Sequence, residues 1–309
     1  MTESKNLLTG LTLWVSDRRI KVLFEGNELE LRMPGIWRFE SRGVRPIAPG
    51  DIVVLERKEV DPRVLRLQER RNEFTRKSAG DKPVPQTLAA NIENVLVIAS
   101  ADRPITPFGL VDRLLATAIL GQAPAHLIVN KADLIDESQR LRWFENYRQA
   151  FLSVNFTSAM TGEGIEELSG LLSSGVTLLA GSSGVGKSSL VNRLHPGLDL
   201  KTGTVSDVTG KGKHITSSAR LHPRPGGGWL IDTPGLRECA PWGLTVDNVM
   251  KCFPEFAQIE GECRFRNCLH VGETGCAADA AVEVGKIPRE RYESYRKLLA
   301  EAEGAAFRY

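Results

Sequence analysis

A glycine-rich segment at positions 181–189, GSSGVGKSS, constrains the fold more than any other part of the chain. It comes after an apolar run at 176–180 that predicts a buried strand, and positions 188–194 predict the start of a helix. In this arrangement backbone N–H groups close around phosphate oxygens, while Lys187 reaches the β and γ phosphates and Ser188 ligates Mg²⁺. The alternative is a Gly/Ser-rich turn that carries a lysine by chance, and the flanking strand and helix favour the phosphate loop. The predicted phosphate-binding residues are Gly181, Ser182, Ser183, Gly184, Val185, Gly186, Lys187, Ser188 and Ser189.

The tetrad Asn-Lys-Ala-Asp at 130–133 supplies a base specificity that a phosphate loop lacks, since the loop contacts only phosphates. The carboxylate of Asp133 can accept hydrogen bonds from both the N1–H and the exocyclic amine of guanine. Taken alone, the tetrad has an alternative interpretation, in which Asp133 is the N-cap of a helix that begins in LIDESQR. An apolar run at 126–129 precedes the tetrad, as expected at the carboxyl end of a parallel strand. We expect Asn130, Lys131 and Asp133 to bind a guanine nucleotide.

Two further short motifs come after β-rich stretches. Thr-Ser-Ala at 157–159 matches the loop whose backbone supports the guanine carbonyl, which assigns Ser158 and Ala159 to the base. Asp-Thr-Pro-Gly at 232–235 comes after an apolar run and matches a γ-phosphate sensor, which assigns Asp232 and Gly235 to phosphate and Mg²⁺. Each motif is weak alone, and four of them at strand ends together predict a GTPase.

The order of the four motifs is unusual, because the base-reading tetrad precedes the phosphate loop. This order predicts a circularly permuted GTPase domain at 87–240, with a parallel sheet and helices on both faces. Apolar patterns at 94–99 and 108–120 predict a strand and then a helix, the βα order of a parallel sheet. A permutation is tolerated if the strands and their crossovers survive and the new chain ends lie at the surface. The segment after the 232–235 motif then leads directly into a C-terminal module.

The first 77 residues predict a small β-barrel. Five short apolar or alternating runs, separated by turn signals, lie at 11–15, 20–24, 29–33, 52–55 and 64–67. A five-stranded OB-type barrel is the leading candidate, and oligonucleotide binding is its usual role. Positions 1–80 carry 16 Lys and Arg against 12 Asp and Glu, a net +4, whereas the whole chain carries +2. The alternative to a nucleic-acid-binding surface is a solvated face on an SH3-like or other adaptor barrel. The basic excess gathers at Arg63, Arg66, Arg70, Arg71, Arg76 and Lys77, and the segment 78–86, with two prolines, predicts a linker.

The C-terminal module, 241–309, contains a candidate metal site formed by Cys263, Cys268, His270 and Cys276. Three thiolates and one imidazole suit tetrahedral Zn²⁺, and a complete set of four protein ligands predicts a closed structural site. Disulfides are the alternative, but the five cysteines are odd in number and the nucleotide motifs imply a reducing cytosol. Cys239 and Cys252 are interpreted as ordinary small apolar residues. A charged helix is predicted at 288–302, and its mixed charges are interpreted as a solvated face.

Barrel, permuted GTPase domain and Cys-Cys-His-Cys module, in that order, resemble the RsgA family of GTPases over essentially the whole chain. The resemblance is carried by GSSGVGKSS at 181–189, GKGKHIT at 210–216, DTPG at 232–235 and CRFRNCLHVGETGC at 263–276. It implies GTP hydrolysis with Mg²⁺, one zinc ion per chain and binding to the small ribosomal subunit and its rRNA during late maturation. One departure is Ile215, where the family usually has threonine, so Thr216 is the sole candidate for the second Mg²⁺ ligand.

The residue directly after the 232–235 motif bears on catalysis. Many GTPases have a glutamine there that orients the attacking water, whereas this chain has Leu236, which can neither donate nor accept. His214 is the nearest replacement in the sequence, and the resemblance implies the same role. The alternative for His214 is a phosphate or RNA contact. The predicted catalytic residues are Lys187, His214, Thr216 and Asp232.

The composition limits the kinds of protein that this chain can be. With 309 residues, 41% hydrophobic and 25% charged, the chain has room for several domains with real cores. Its longest apolar stretches fall well short of the roughly 20 residues that a membrane-spanning helix needs. We expect a cytoplasmic monomer that binds rRNA and uses GTP hydrolysis to time its release. A GTPase acting on a protein partner, with the barrel as adaptor, and a non-enzymatic RNA-binding factor with GTP as a structural ligand are the alternatives.

Overall fold

The computed structural model describes residues 7–16, 18–35, 37, 46–58, 62–78, 80, 82–172, 174–194, 219–232, 236 and 239–306. Among these residues, no helix is both long and apolar enough to cross a membrane.

The N-terminal strands form the predicted five-stranded barrel. Strand β1 pairs antiparallel with both β2 and β4, β2 pairs with β3, and β4 pairs with β5. Alternate side chains of these strands fill a compact interior that includes Ile20, Val22, Val53 and Leu55, all essentially inaccessible to solvent. The strands are β1 (Leu7–Val15), β2 (Arg19–Phe24), β3 (Asn27–Arg32), β4 (Ile52–Glu56) and β5 (Arg63–Leu67).

A β-hairpin comes after the barrel, where the sequence indicates a linker. Strand β6 (Glu73–Lys77) pairs antiparallel with β7 (Pro85–Ala90). Pro85 and Gln86 of the expected linker therefore belong to β7, and the N–H of Ser78 donates to the carbonyl of Val84 at 2.9 Å. Prolines are compatible with this position because β7 has no second strand partner among the described residues, and an edge strand tolerates a missing N–H donor.

The central sheet matches the predicted parallel architecture. Its parallel strands lie in the spatial order β10, β9, β8, β11, β13, and β12 adds an antiparallel strand at the β13 side. The central strands β8, β9 and β11 are largely apolar because both faces of the sheet are covered. They are β8 (Asn94–Ser100), β9 (Ala125–Asn130), β10 (Val154–Thr157), β11 (Val176–Ala180), β12 (Arg220–Pro223) and β13 (Trp229–Asp232).

Helices cover both faces of this sheet, as expected. Helices α1 (Phe108–Leu120) and α2 (Glu137–Tyr147) pack on one face, against a core that includes Val97, Leu127 and Leu178. Helices α3 (Ile165–Leu171) and α4 (Lys187–Leu194) pack on the other face. The sheet is therefore enclosed between two helical layers, and its strand ends are left to form the site.

The barrel and the central sheet are hydrogen-bonded to each other. Trp14 of β1 pairs with Arg220 of β12 in an antiparallel bridge, so one strand path runs from β10 to β3. The ion pair of Arg70 also joins the barrel to the hairpin. Arg70 donates to both carboxylate oxygens of the buried Asp51 at 2.8 Å and to Glu73 at 2.5 Å. Arg70, counted in the basic excess of the barrel, is therefore engaged within the protein.

The C-terminal module is mostly helical, as predicted. Two 3₁₀ helices (Val249–Cys252 and Pro254–Ile259) precede α5 (Ala278–Glu283) and α6 (Arg289–Ala306). Helix α6 buries a complete face, including Tyr295, Leu298 and Leu299, in a core that also contains Ala116 of α1. The interpretation of this helix as a solvated face is wrong for that side, because its apolar residues recur at helical spacing among the charges. Cys239 and Cys252 are buried and lie outside the Cys-His cluster, as expected.

Candidate functional site

Four predicted site segments meet at one edge of the central sheet. The tetrad begins at the last residue of β9, the Thr-Ser-Ala motif begins at the last residue of β10, the glycine-rich loop comes after β11, and Asp232 ends β13. All four strands are parallel, so their carboxyl ends share this edge, where open α/β sheets bind ligands. The edge also contains a segment that the sequence did not indicate, the connection between β8 and α1.

The glycine-rich loop has a backbone that only glycine accommodates at two positions. Gly184 and Gly186 have φ values of +82° and +96°, in the region that L side chains rarely adopt. A Cβ atom at Gly186 would lie 2.2 Å from Nδ2 of Asn130, and one at Gly181 would lie 2.4 Å from the carbonyl oxygen of Ile98. The loop is therefore closely packed against the strand ends on either side, with the start of α4 directly after it.

Lys187 and Asp232 are close enough to interact electrostatically beside this loop. The ammonium of Lys187 is buried and donates to the carbonyls of Gly181 at 3.0 Å and Ser182 at 2.9 Å. Burial lowers the pKa of Lys187, and the nearby carboxylate of Asp232 opposes that shift. Burial likewise raises the pKa of Asp232, whose Oδ1 is buried without a hydrogen-bond partner among the described residues. An unpartnered buried carboxylate oxygen beside a phosphate loop suits a Mg²⁺ ion or its water.

The tetrad is fixed to the glycine-rich loop. Nδ2 of Asn130 donates to the carbonyl of Val185 at 2.8 Å, and its Oδ1 accepts from the hydroxyl of Thr157 at 3.3 Å. Lys131 donates to the carbonyl of Arg103 in the β8–α1 connection. That connection also contacts the loop, because Pro104 lies 3.4 Å from the position of a Cβ at Gly184. No sequence pattern indicates this contact, which depends on where β8 ends.

Asp133 is exposed and does not cap a helix. The N-cap of α2 is Asp136, whose side chain accepts from the backbone N–H of Gln139, while the Gln139 side chain accepts from the N–H of Asp136. This capping box leaves the carboxylate of Asp133 in a separate 3₁₀ turn, Ala132–Leu134. The alternative interpretation of Asp133 as a helix cap is therefore wrong.

The Thr-Ser-Ala motif forms a closed turn beside the tetrad. The buried hydroxyl of Ser158 accepts from the N–H of Thr161 at 3.1 Å, and the carbonyl of Ser158 accepts from Gly162 at 2.9 Å. The N–H of Ser158 donates to the carbonyl of Glu163 at 3.0 Å. Ala159 is partly buried against the core under α3 and α4. These bonds hold the turn in a defined conformation next to the tetrad.

Three predicted site residues, His214, Thr216 and Gly235, lie outside the described residues. Leu236, immediately after them, is buried in the core of the sheet, and its N–H donates to the carbonyl of Gly181 at 3.0 Å. Its apolar side chain points into protein, which agrees with the expectation that it does not orient water.

The four predicted metal ligands in the C-terminal module converge. Their ligand atoms all lie within 4.8 Å of one another, and Nδ1 of His270 is 3.4 Å from Sγ of Cys263 and 3.6 Å from Sγ of Cys276. Ligands at zinc distances on a tetrahedron are about 3.5 Å apart, so the set fits Zn²⁺. Burial lowers the pKa of His270, which favours the neutral imidazole that coordinates metals.

The backbone around this cluster is arranged for thiolate ligands. The N–H of Ala277 donates to Sγ of Cys263 at 3.3 Å, and that of Ala278 donates to Sγ of Cys276 at 3.4 Å. The carboxylate of Glu273 accepts from the N–H groups on either side of His270, which has a left-handed backbone with φ of 58°. Hydrogen bonds of this kind orient metal ligands and stabilise their charge.

Comparison with known proteins identifies the family. The sequence profile of the RsgA GTPase family matches residues 67–242, which is more than half of the chain. The chain belongs to the RsgA GTPase family. A relative from Gemmatimonas aurantiaca, described as small ribosomal subunit biogenesis GTPase RsgA, is 39% identical over 283 residues, which cover 91% of this chain and 92% of the relative.

Two solved structures are similar in fold over nearly the whole chain. YjeQ from Thermotoga maritima superposes with a TM-score of 0.76 at 29% identity, covering 96% of this chain and 99% of YjeQ. YloQ, described as a circularly permuted GTPase, has a TM-score of 0.71 at 25% identity and full coverage of both chains. The predicted circular permutation is thus confirmed, and this RsgA family member is a GTP-hydrolysing enzyme.

Proposed function

We propose that this protein is a GTPase of small ribosomal subunit biogenesis, which binds the subunit through rRNA and uses hydrolysis to time its release. The observation that carries the proposal is that the tetrad, the base-support turn, the glycine-rich loop and Asp232 converge at one sheet edge. The hydrogen bond from Asn130 to Val185 joins the base-reading segment to the phosphate-binding loop. The relative from Gemmatimonas aurantiaca is described as a GTPase of small ribosomal subunit biogenesis, which supports that part of the proposal. Its site of action would be the cytoplasm, where ribosomes are assembled.

In this proposal the two ends of the nucleotide have separate binding sites. The carboxylate of Asp133 selects guanine over adenine, and the turn at Ser158 and Ala159 supports the guanine carbonyl. The loop from Gly181 to Ser189 binds the phosphates through backbone N–H groups at the start of α4, where the helix dipole favours anions. Mg²⁺, when bound, neutralises phosphate charge, and the residues that would hold it are Ser188, Thr216 and Asp232.

Hydrolysis would be an in-line attack by water on the γ-phosphate. Lys187 and the loop N–H groups stabilise the negative charge that develops on the phosphate oxygens. Water must be oriented by a group other than Leu236, because Leu236 is apolar and buried. His214 is assigned this role, with Gly235 holding the γ-phosphate through its backbone.

The zinc proposal is structural rather than catalytic. Cys263, Cys268, His270 and Cys276 would complete a tetrahedral shell with no open position for substrate. A bound ion would fix the loop between the second 3₁₀ helix and α5, and the hydroxyl of Tyr295 on α6 donates to the carbonyl of Leu269 in that loop at 2.6 Å. The metal would therefore stabilise the surface that the C-terminal module presents.

RNA binding is proposed through the barrel and the C-terminal module. Exposed arginines supply the phosphate contacts, among them Arg66 of the barrel and Arg264 and Arg266 of the metal-site loop. Arg70 is excluded from this set, since Asp51 and Glu73 occupy it. Phosphate contacts by Arg and Lys release counterions, so binding should weaken steeply as salt concentration rises.

The test is GTP turnover with and without purified small ribosomal subunits, together with subunit binding at several salt concentrations. We expect low turnover alone, strong stimulation by subunits and a steep salt dependence of binding. Unstimulated turnover would reject the ribosomal role. Stimulation with salt-insensitive binding would favour a protein partner instead, and absence of multiple turnover in both conditions would favour GTP as a structural ligand.

A further inference from the structure

Arg140 on α2 joins the two loops that face the base. Its Nη1 donates to Oε1 of Glu163 at 2.5 Å, and its Nη2 donates to Oε2 of Glu163 at 3.0 Å and to the carbonyl of Ala132 at 2.9 Å. One guanidinium thus holds the tetrad through the residue before Asp133 and, at the same time, the loop that comes after the Thr-Ser-Ala motif. The bidentate geometry with a carboxylate is the strongest arrangement available to an arginine.

Glu163 transmits this contact to the base-support turn. Its carbonyl accepts from the N–H of Ser158 at 3.0 Å, so the side chain and the main chain of one residue connect Arg140 to the turn. The Arg140 hydrogen bonds lower the pKa of Glu163, against a smaller effect of the Asp133 carboxylate in the opposite direction. Arg140 also lies with its Cζ 5.6 Å from the ring centroid of Phe156 in β10, which fixes its direction.

A second contact joins the two base-reading loops, at the strand ends from which they start. Asn130 and Thr157 are paired across β9 and β10, and their side chains are hydrogen-bonded at 3.3 Å. Beyond these strand ends, Asp133 and Ser158 lie on different loops. Because guanine must contact both loops at once, the distance between them decides how well the base fits.

We propose that Arg140 and Glu163 form a clamp that fixes the spacing of the two base-reading loops, which makes Arg140 a positioning residue for guanine selectivity. The inference rests on the proposed guanine site at Asp133 and Ser158. It adds two residues that contact no nucleotide themselves. Without the clamp the loops separate, and the carboxylate of Asp133 no longer aligns with both N–H donors of the base.

The experiment compares GDP, GTP and IDP affinities of the full chain with those of Arg140→Ala, Glu163→Ala and the double variant. Inosine lacks the exocyclic amine that Asp133 would accept from, so the ratio of GDP to IDP affinity reports alignment of that carboxylate. The matched control is Arg148→Ala, since Arg148 forms an exposed pair with Glu145 at 2.8 Å near the end of the same helix. Arg140→Lys keeps the positive charge but loses the bidentate geometry, so it should retain part of the wild-type affinity and selectivity.

We expect Arg140→Ala to weaken GDP and GTP binding by about twofold to fivefold, the range for a partly exposed pair with good geometry. The ratio of GDP affinity to IDP affinity should fall, the double variant should be no worse than either single one, and the loss should appear in the KM for GTP more than in kcat. A loss shared equally by GDP and IDP would overturn the selectivity role. If Arg140→Ala and Arg148→Ala had equal nucleotide affinities, the contact between Arg140 and Glu163 would be a surface ion pair with no role in binding.

Asp133→Asn separates failure of this inference from failure of the proposed site. If that variant loses GTP affinity while Arg140→Ala does not, the clamp alone is wrong. If Asp133→Asn binds GTP normally, the guanine site is misassigned, and the clamp is rejected with it.

Discussion

The guanidinium of Arg291 on α6 donates to the carboxylate of Asp112 on α1 at 2.7 Å, and both side chains are at most 1% exposed. Arg291 also forms a bidentate pair with the buried Glu255, at 2.6 and 3.1 Å, and its Cζ lies 4.3 Å from the ring centroid of Phe253. One cation and two carboxylates are thus enclosed where the C-terminal module meets the central domain. Desolvation of such groups is costly, so the two buried carboxylates depend on the cation for their stability.

Arg291→Met should destabilise the protein by roughly 3–5 kcal/mol, because it leaves the carboxylates of Asp112 and Glu255 buried without a cation. The measurement is the free energy of unfolding in denaturant. Arg142→Ala is the control, since Arg142 pairs with Glu290 at 2.6 Å on an exposed surface and should cost no more than about 1 kcal/mol. Equal effects of the two substitutions would contradict the importance of the buried cluster.

The same variant should show a defined pH dependence. Burial raises the pKa of Asp112 and Arg291 opposes that shift, so removal of Arg291 should raise the pKa further. A carboxyl group whose pKa is raised by folding holds its proton more tightly in the native state. Stability therefore falls as pH rises from the pKa of the unfolded state to the higher pKa of the native state. The stability difference between wild type and Arg291→Met should therefore be larger at high pH than at low pH, within the range where the wild type stays folded. A difference that shrinks with rising pH would exclude Asp112 as its source.

Gly186→Ala should weaken GTP and GDP binding by at least about tenfold. The new Cβ would lie 2.2 Å from Nδ2 of Asn130, at a φ of +96° that alanine rarely adopts, so the loop or the tetrad must move. Isothermal titration with GDP gives the affinity. Gly170→Ala, on α3 with no neighbour among the described residues within 4 Å of its Cβ position, is the control and should bind normally. Normal binding by Gly186→Ala would mean that the observed loop conformation is not the one that binds nucleotide.

His214→Ala should lower turnover by about tenfold to a thousandfold, and leave nucleotide affinity within about twofold, if His214 orients the attacking water. Lys187→Ala should reduce both affinity and turnover, because in the proposed site Lys187 would contact the phosphates in the ground state as well. Phosphate release and GDP titration separate the two effects. Intact intrinsic turnover with weakened subunit binding in His214→Ala would assign this histidine to a contact with RNA or phosphate.

Purified protein should contain about one zinc ion per chain, measured by atomic emission. Cys268→Ser should lower that content and the melting temperature, since it would open the proposed zinc shell, whose loop is joined to α6 through Leu269 and Tyr295. Cys239→Ala is the control, because Cys239 is buried elsewhere and contacts the hydroxyl of Thr117. Full zinc content in Cys268→Ser would remove that residue from the ligand set.

Subunit affinity should depend on the bound nucleotide. The chain after Asp232 is attached to the glycine-rich loop at Leu236 and to α1 at Cys239, so phosphate contacts and the C-terminal module share a short path. A preference of roughly 2 kcal/mol for the GTP form would make binding about thirtyfold tighter with a non-hydrolysable GTP analogue than with GDP. Equal subunit affinities with the GTP analogue and with GDP would show that this path does not couple the bound nucleotide to subunit binding.

The sequence predicts elements whose signal is local. Helix α1 and strand β11 have the bounds that the sequence predicts, because an apolar period or a continuous apolar run defines each one. The glycine-rich loop is predictable for the same reason, since its spacing and flanking elements lie close together in the chain. Local signals also mislead at one place, where the prolines of 78–86 indicate a linker and β7 begins at Pro85.

Contacts between distant residues could not be predicted. Arg140 and Glu163, Arg70 and Asp51, and Arg291 and Asp112 are separated by 23, 19 and 179 positions, and each appears in the sequence as an ordinary charged residue. Arg291 is the clearest example of a residue whose contacts the sequence does not reveal. Its mixed-charge surroundings indicate a solvated helix, whereas its burial results from the docking of α6 on α1. Only the fold brings the opposite charges together.

The docking of α6 on α1 has a consequence for how this chain can be divided. Helix α1 is apolar on two sides, one against the central sheet and the other, at Ala116, against the C-terminal module. A fragment that ends near residue 240 would keep every nucleotide motif, but would expose that second side together with the buried carboxylate of Asp112. The folding unit therefore extends beyond the segment that contains the nucleotide motifs. The GTPase domain completes its packing with a C-terminal segment that contains none of those motifs.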